Sequence, residues 1–371
     1  MKVYLDNNRA TMVDPQVIEE MQPFYTELYA NPSALHGHAK AMRKPCSDAM
    51  EKIYAGIHAK KSDTIAITSG SNESNERLFM SIYLHTILTG QKRDIIISDR
   101  ESDAINNMAN FIASQGCRVT VVPIDSDGII EASSIKNAIT TKTALVSITM
   151  VDAQTGAIMP IDEISQICDE HKVWLHSDAT HAIGKIPVDV QMLGVDFLTF
   201  SAETFHGPTG VGALYVKDGN GLQGLDKPSQ NTTGIIGMAK AIELSVDAQA
   251  FEMEDVRELR DSLEEALRGI PDSIIVTPWT HRVANTILIA FKDIESELLL
   301  YELNKVGISA YMENGSSIIE TIGANSSMKH SLVGFALSRF NTEEEIAYTI
   351  EKINQTVNNI RQRIACTQEE T

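Results

Sequence analysis

The sequence predicts an α/β protein, and three observations carry that expectation. The first is the stretch VDFLTFSAETFHGPTGVGALYV, Val195 to Val216. Its opening run, Val195 to Ser201, is apolar, β-branched and aromatic, which is strand chemistry. Gly207-Pro208 is a turn signal, and Val211 to Val216 is a second strand. A strand that ends in serine and continues into a polar loop puts that loop at a sheet edge, where α/β proteins carry chemistry. The second observation is that short β runs elsewhere alternate with stretches at helical spacing. The third is bulk: 371 residues suffice for a sizeable core and two domains, and 43% hydrophobic with 22% charged residues is ordinary for a globular chain.

Charge and cysteine content narrow the function classes. A formal net charge of -19 argues against nucleic acid or an anionic membrane as partner, since both need basic patches. Cys46, Cys117, Cys168 and Cys366 are scattered, with no C-x-x-C pair, so zinc or iron–sulfur ligation is unsupported and no metal site is expected. A reduced cytoplasmic chain is the simplest expectation. Nothing in the sequence resembles a signal peptide or a long apolar span.

Taken in order, Asp14-Pro15 has the chemistry of an N-cap with proline in the first turn, opening a helix through about Tyr29. Asn31-Pro32-Ser33 is a turn, His36 reads on its own as a polar loop residue, and a helix runs from Ala39 to Ile57. Thr64 to Thr68 is a strand, and Ser69-Gly70-Ser71-Asn72 opens the next helix, where free N–H groups suit an anion or an ordinary cap by Ser69 or Ser71. Strands follow at 94–98, 119–123, 143–150 and 173–176, with helices at 133–139 and 161–172 and a turn at Asp125 to Gly128. The acidic stretch Glu243 to Arg268 links to a second domain, its charges expected on a solvated face. Helices from Glu297 to Asn304 and from Thr342 onward complete the expected elements.

The segments Tyr4-Leu5-Asp6-Asn7-Asn8, Asn31-Pro32-Ser33 through His36, Thr68 to Asn75, Asp178-Ala179, Gly207 to Tyr215 and Arg339 to Thr342 together resemble the cysteine desulfurases (NifS/IscS type) of the class V aminotransferase group. The resemblance covers nearly the whole chain, from Tyr4 to about Arg363. It implies a pyridoxal phosphate-dependent transferase fold of type I. A large domain (14–247) would carry a mainly parallel seven-stranded sheet, and 1–13 with 248–371 would form a smaller α/β domain. It also implies that Ser69, Gly70, Ser71 and Asn72 correspond to the cofactor phosphate turn, with Asn72 in place of a threonine. Asp178 would meet the pyridine nitrogen, where the residues alone equally allow a strand-end carboxylate capping the next helix. His181, Ser201 and Glu203 complete the corresponding, vestigial cofactor positions.

Against that pattern the chemistry is missing. The family loop reads Ser-x-His-Lys, and here Thr204 stands where the Schiff-base lysine would be. Ser102 replaces a stacking histidine, and Asp152 or Ala153 replaces a ring-contacting asparagine. Ser316 stands near the nucleophilic cysteine, and Gly334 replaces the carboxylate-binding arginine. The segment from Gly221 to Thr233 lacks the arginine of a cross-subunit phosphate site. Six lost roles, each worth orders of magnitude in rate, predict a desulfurase-like pseudoenzyme with no catalytic residues and no covalent cofactor, pyridoxal phosphate remaining a noncovalent ligand only. The resemblance implies a homodimer, or a heterodimer with an active desulfurase paralogue, docking an iron–sulfur scaffold protein. The alternative is altered chemistry in the same cleft, using Glu203, Asp152, Asp178 and His181 for acid–base work or a metal.

Overall fold

The computed structural model describes residues 1–90, 92–220, 231–313, 316–321 and 328–369. Its strands are β1 (Val3–Tyr4), β2 (Thr64–Thr68), β3 (Asp94–Ser98), β4 (Val119–Val122), β5 (Thr143–Thr149), β6 (Trp174–Asp178), β7 (Phe197–Ser201) and β8 (Gly212–Val216), followed by β9 (Ser273–Ile275), β10 (Thr286–Phe291), β11 (Ile308–Ser309), β12 (Tyr311–Met312) and β13 (Leu332–Ala336). Seven of them form one sheet in the order β2-β8-β7-β6-β5-β3-β4. Every pairing in it is parallel except those of β8, which runs antiparallel to both β2 and β7. The fold is α/β with a large, mostly parallel mixed sheet.

Alternation along these strands sends side chains to both faces. Ile65, Ile67, Ile96, Val146, Ile148, Leu198, Phe200, Ala213 and Tyr215 join one buried cluster, with the helices Gly37–Gly56, Ile161–His171 and the start of Thr232–Arg268. Their neighbours Ala66, Ile95, Ile97, Leu145, Phe197, Leu214 and Val216 join a second, under the helices Ser71–Ile82 and Asp103–Ser114. Burial on both faces explains why the strands read as continuous apolar runs rather than as alternating ones.

A third cluster lies around the antiparallel sheet β12-β13-β10-β9 and holds Leu288's neighbours Ile287 and Ile289, Phe291, Val333 and Phe335. Val3 and Leu5 belong to this cluster too, because β1 pairs with β11. The 37-residue helix Thr232–Arg268 spans two cores, placing Met238 and Ile242 in the first cluster and Val256, Leu263 and Leu267 in the third.

Several local expectations change. The first helix stops at Met21 and resumes as Pro23–Thr26, because Pro23 cannot supply the N–H that would continue it. Asp14 does cap it, accepting from Gln16 N–H at 2.7 Å. His36 is an N-cap, its Nδ1 accepting from Ala39 N–H. Neither Ser69 nor Ser71 caps the helix Ser71–Ile82; Gly70 is its N-cap and offers no side chain. Nor is the acidic stretch wholly solvated. Arg260 and Glu264 are buried, and Glu264 pairs with the buried Arg282 and with Arg268. Among the described residues no helix is long and apolar enough to cross a membrane.

Candidate functional site

The C-terminal ends of β2, β3, β5, β6 and β7 open onto one edge of the large sheet, which is where open α/β sheets bind ligands. A cleft of about 700 Å³ lies there, closed from the other side by Asn8, Arg9, Tyr311 and Glu313. It brings together Ser69, Gly70, Ser71, Asn72, Ser102, Asp178, His181, Ser201, Glu203 and Thr204. Gly334 stands apart from it, in β13, and Ser316 opens the helix Ser316–Thr321. The expected loss at Gly221 to Gln230 lies outside the described residues.

Thr204 follows the last residue of β7 by three positions and is buried. Its hydroxyl lies 2.5 Å from the Thr180 carbonyl and 3.0 Å from that of Ser201, so its one proton serves the backbone. Ser201 Oγ accepts the Ser71 N–H at 2.7 Å, and the Ser69 N–H donates to Glu73 Oε2 at 2.6 Å. Two donors of the helix-start turn are therefore satisfied within the chain. A Cβ at Gly70 would stand 3.0 Å from Ser201 Oγ and 3.9 Å from Glu203 Oε1, which places the Glu203 carboxylate against that turn. Glu203 Oε2 is buried without a hydrogen-bond partner, and burial raises the pKa of the group.

Asp178 ends β6. Oδ1 accepts from Thr180 N–H and hydroxyl, and Oδ2 accepts from Asn75 Nδ2 at 2.9 Å. Burial pushes this carboxyl up despite those donors. The Asn75 carbonyl in turn accepts from Thr199, whose hydroxyl lies 3.1 Å from His176 Nε2, and His176 Nδ1 lies 2.8 Å from Ser147 Oγ. This chain of polar contacts runs under the sheet edge and fixes Asp178. Burial lowers His176 to about 3, so the ring is neutral. His181 is lowered to about 3 by burial and by the nearby Lys185 charge, and its Nδ1 has no partner.

Sequence reasoning missed Arg100 and Glu101: in the resemblance Glu101 falls at a glutamate beside the stacking position, and Arg100 has no counterpart that marks it. Arg100 Nε donates to Asp152 Oδ2 at 2.7 Å, and its Nη2 reaches Gln154. Both charged side chains are almost wholly buried. Desolvation pushes Asp152 up, but the Arg100 charge and donors from Arg100 and Thr155 outweigh it and hold the group below its ordinary value. An aspartate at an asparagine position signals a needed cation, and that signal could have led to Arg100. Asp152 is accordingly unavailable for the acid–base cluster expected with Glu203, Asp178 and His181. Among the described residues no group of three or more His, Cys, Asp or Glu is placed to hold a metal.

At Gly334 the missing arginine has a structural counterpart. Gly334 lies opposite Tyr311 across β12 and β13, and a Cβ there would meet Tyr311 ring carbons at 2.2 Å. The Tyr311 ring, itself buried, occupies the room a longer side chain would need. All four cysteines are free thiols, with Cys168 buried and pushed up to about 12 by desolvation, and none lines the cleft.

The residues do not fit the pyridoxal phosphate on which the family depends. No amine stands at 204, a carboxylate stands against the phosphate turn, where an anion would meet like charge, and Ser102 is an exposed hydroxyl with no ring face. Of the corresponding positions, Asp178 at the ring nitrogen, Ser201 and the Ser69-Gly70 start of the turn are kept in place.

The model of the family described as "Aminotransferase class-V" matches residues 3–227 and 223–348. "Cysteine desulfurase IscS" from Clostridium botulinum is 34% identical, with 97% of this chain and 96% of that protein covered. "Cysteine desulfurase" from Nostoc sp. is 32% identical, at 97% and 94% coverage. Among solved structures, a "NIFS-LIKE PROTEIN" superposes with a TM-score of 0.90 at 30% identity, covering 96% of this chain and all of that one. The chain belongs to the aminotransferase class-V family, in its IscS/NifS-like cysteine desulfurase group.

Proposed function

We propose that this chain keeps the desulfurase scaffold without pyridoxal-dependent desulfuration. It serves sulfur transfer and iron–sulfur cluster assembly as a dimerising, docking or regulatory subunit. The observation that carries the proposal is the engagement of Thr204, whose hydroxyl is spent on the Thr180 and Ser201 carbonyls where the imine-forming amine would be. A hydroxyl forms no imine, and none of the four thiols lines the cleft to accept sulfur.

The scaffold positions that build turns and strands are kept, which favours retention of the surfaces by which such proteins associate. The partner is a second copy of the chain or an active desulfurase paralogue, with an iron–sulfur scaffold protein as the docked third party. Four free cysteines suit a reducing cytoplasmic setting. The test is to incubate the purified chain with cysteine and pyridoxal phosphate and to measure sulfide and alanine. Neither should rise above a protein-free blank, and release of both in equal amounts rejects the proposal. Adding the chain to an active desulfurase tests the regulatory role: a changed rate or a co-eluting complex is expected, and neither appearing would remove it.

A further inference from the structure

We propose that the cleft is a binding site for a small organic cation, specifically a primary aliphatic ammonium ion. The proposal rests on the reading that the cleft no longer takes pyridoxal phosphate. Eight carboxylates line it, those of Glu73, Asp99, Glu101, Asp103, Asp152, Asp178, Glu203 and Glu313, against the two guanidiniums of Arg9 and Arg100. Both guanidiniums are committed: Arg100 is paired with Asp152, and the largely exposed Arg9 reaches Asp6 and Glu313. Glu101, Asp178 and Glu203 have no cation paired with them among the described residues, so the cleft holds carboxyl groups without a counter-charge.

A second, independent observation points to a ligand. Glu101 is 7% exposed, lines the cleft, and has one oxygen bound by Ser98 hydroxyl and Thr149 N–H while its Oε2 has no partner. Glu203 Oε2, after β7 on the half-buried side of the same cleft, likewise has no partner. Buried polar atoms are ordinarily paired, so two orphaned carboxyl oxygens on one cleft mark places for a donor. Burial, with the Asp178 charge adding to it, pushes Glu101 up to about 8, so it holds its proton at neutral pH and a cation bound beside it would favour the charged form.

The geometry of the free oxygens selects the ligand class. A planar guanidinium is best used by a carboxylate offering both oxygens side by side, and Glu101 offers one. An ammonium carries three donors spread in different directions and can serve single oxygens on separate walls.

Putrescine titrated into the full-length chain by calorimetry tests this. Saturable binding is expected, with neutral butanediol giving none, and with E101Q and E203Q each weakening it by about tenfold or more, the loss of one charge-assisted hydrogen bond. E203Q, at the less buried residue, reads out the site even if E101Q fails to fold. No saturable heat, equal binding of the diol, or unchanged affinity in folded E203Q would overturn the proposal. The two proposals fail separately: desulfurase turnover defeats the inert scaffold, whereas an inert chain that ignores putrescine defeats only the cation site.

Discussion

Arg100 and Asp152 form a buried pair in which each charge is tolerable only because the other is there. Truncating Arg100 to alanine strands the Asp152 carboxylate among Thr155 and backbone donors, and should cost about 3–5 kcal/mol by urea denaturation at neutral pH. Replacing both by leucine should cost clearly less, since no charge is then left alone; equal costs would argue that packing rather than charge matters there. Glu101 behaves oppositely to Asp152 with pH. Its folded pKa is raised from 4.5 to about 8, so its contribution to stability is fully present below its unfolded value and is lost as pH rises through about 8. E101Q should therefore flatten the fall in stability between pH ~5 and ~9, as read from melting temperature against pH. A parallel wild-type and variant slope would contradict that assignment. That no imine-forming amine stands at 204 was legible in the sequence, from the residue type at that position of the resemblance. The hydrogen bonds that now occupy it were not, because both partners are backbone carbonyls, which no motif records.

At the scale of elements, the register of β12 against β13 decides what Gly334 can become. Gly334→Ala drives a methyl into the Tyr311 ring and should destabilise by roughly 1–3 kcal/mol, as overpacking does. Tyr311→Ala in the same chain should recover most of that loss in urea melts, and no recovery would show that the glycine is needed for another reason. The seven strands of the large sheet were readable, with ends within two residues, because both faces of that sheet are buried and the apolar runs are unbroken, whereas the short strands of the smaller sheets were not. The first helix was overextended across Pro23, a breaker whose meaning is plain once seen in place. The cap of the helix Ser71–Ile82 was misassigned for a different reason: serines flank Gly70 on both sides, and propensity favours them over the residue that does the job. Arg260 and Glu264 were expected in solvent because helix charges usually are. The burial of Glu264 follows from Arg282, which approaches from a distant loop and so has no local signature.

Across the whole molecule, the helix Thr232–Arg268 runs between the two cores, and the pairing of β1 with β11 brings the N-terminal segment into the third cluster. Arg282→Ala should leave the buried Glu264 with Arg268 only and lower global stability by about 3 kcal/mol, whereas Arg268→Ala, on the exposed side, should cost under about 1 kcal/mol. Similar losses for both would mean that the buried pair contributes no more than a surface one. Fold type and family were legible because they rest on many positions, while the state of the cleft rests on few side chains contributed by separate strands and by the N-terminal segment. The inert scaffold, then, is a claim about covalent chemistry and is tested most directly by trapping it. The full-length chain is incubated with excess pyridoxal phosphate, reduced with borohydride, digested and mapped by mass spectrometry. No pyridoxyl group on any cleft residue is the predicted result; a stoichiometric adduct on a single side chain, Lys185 included, would contradict it.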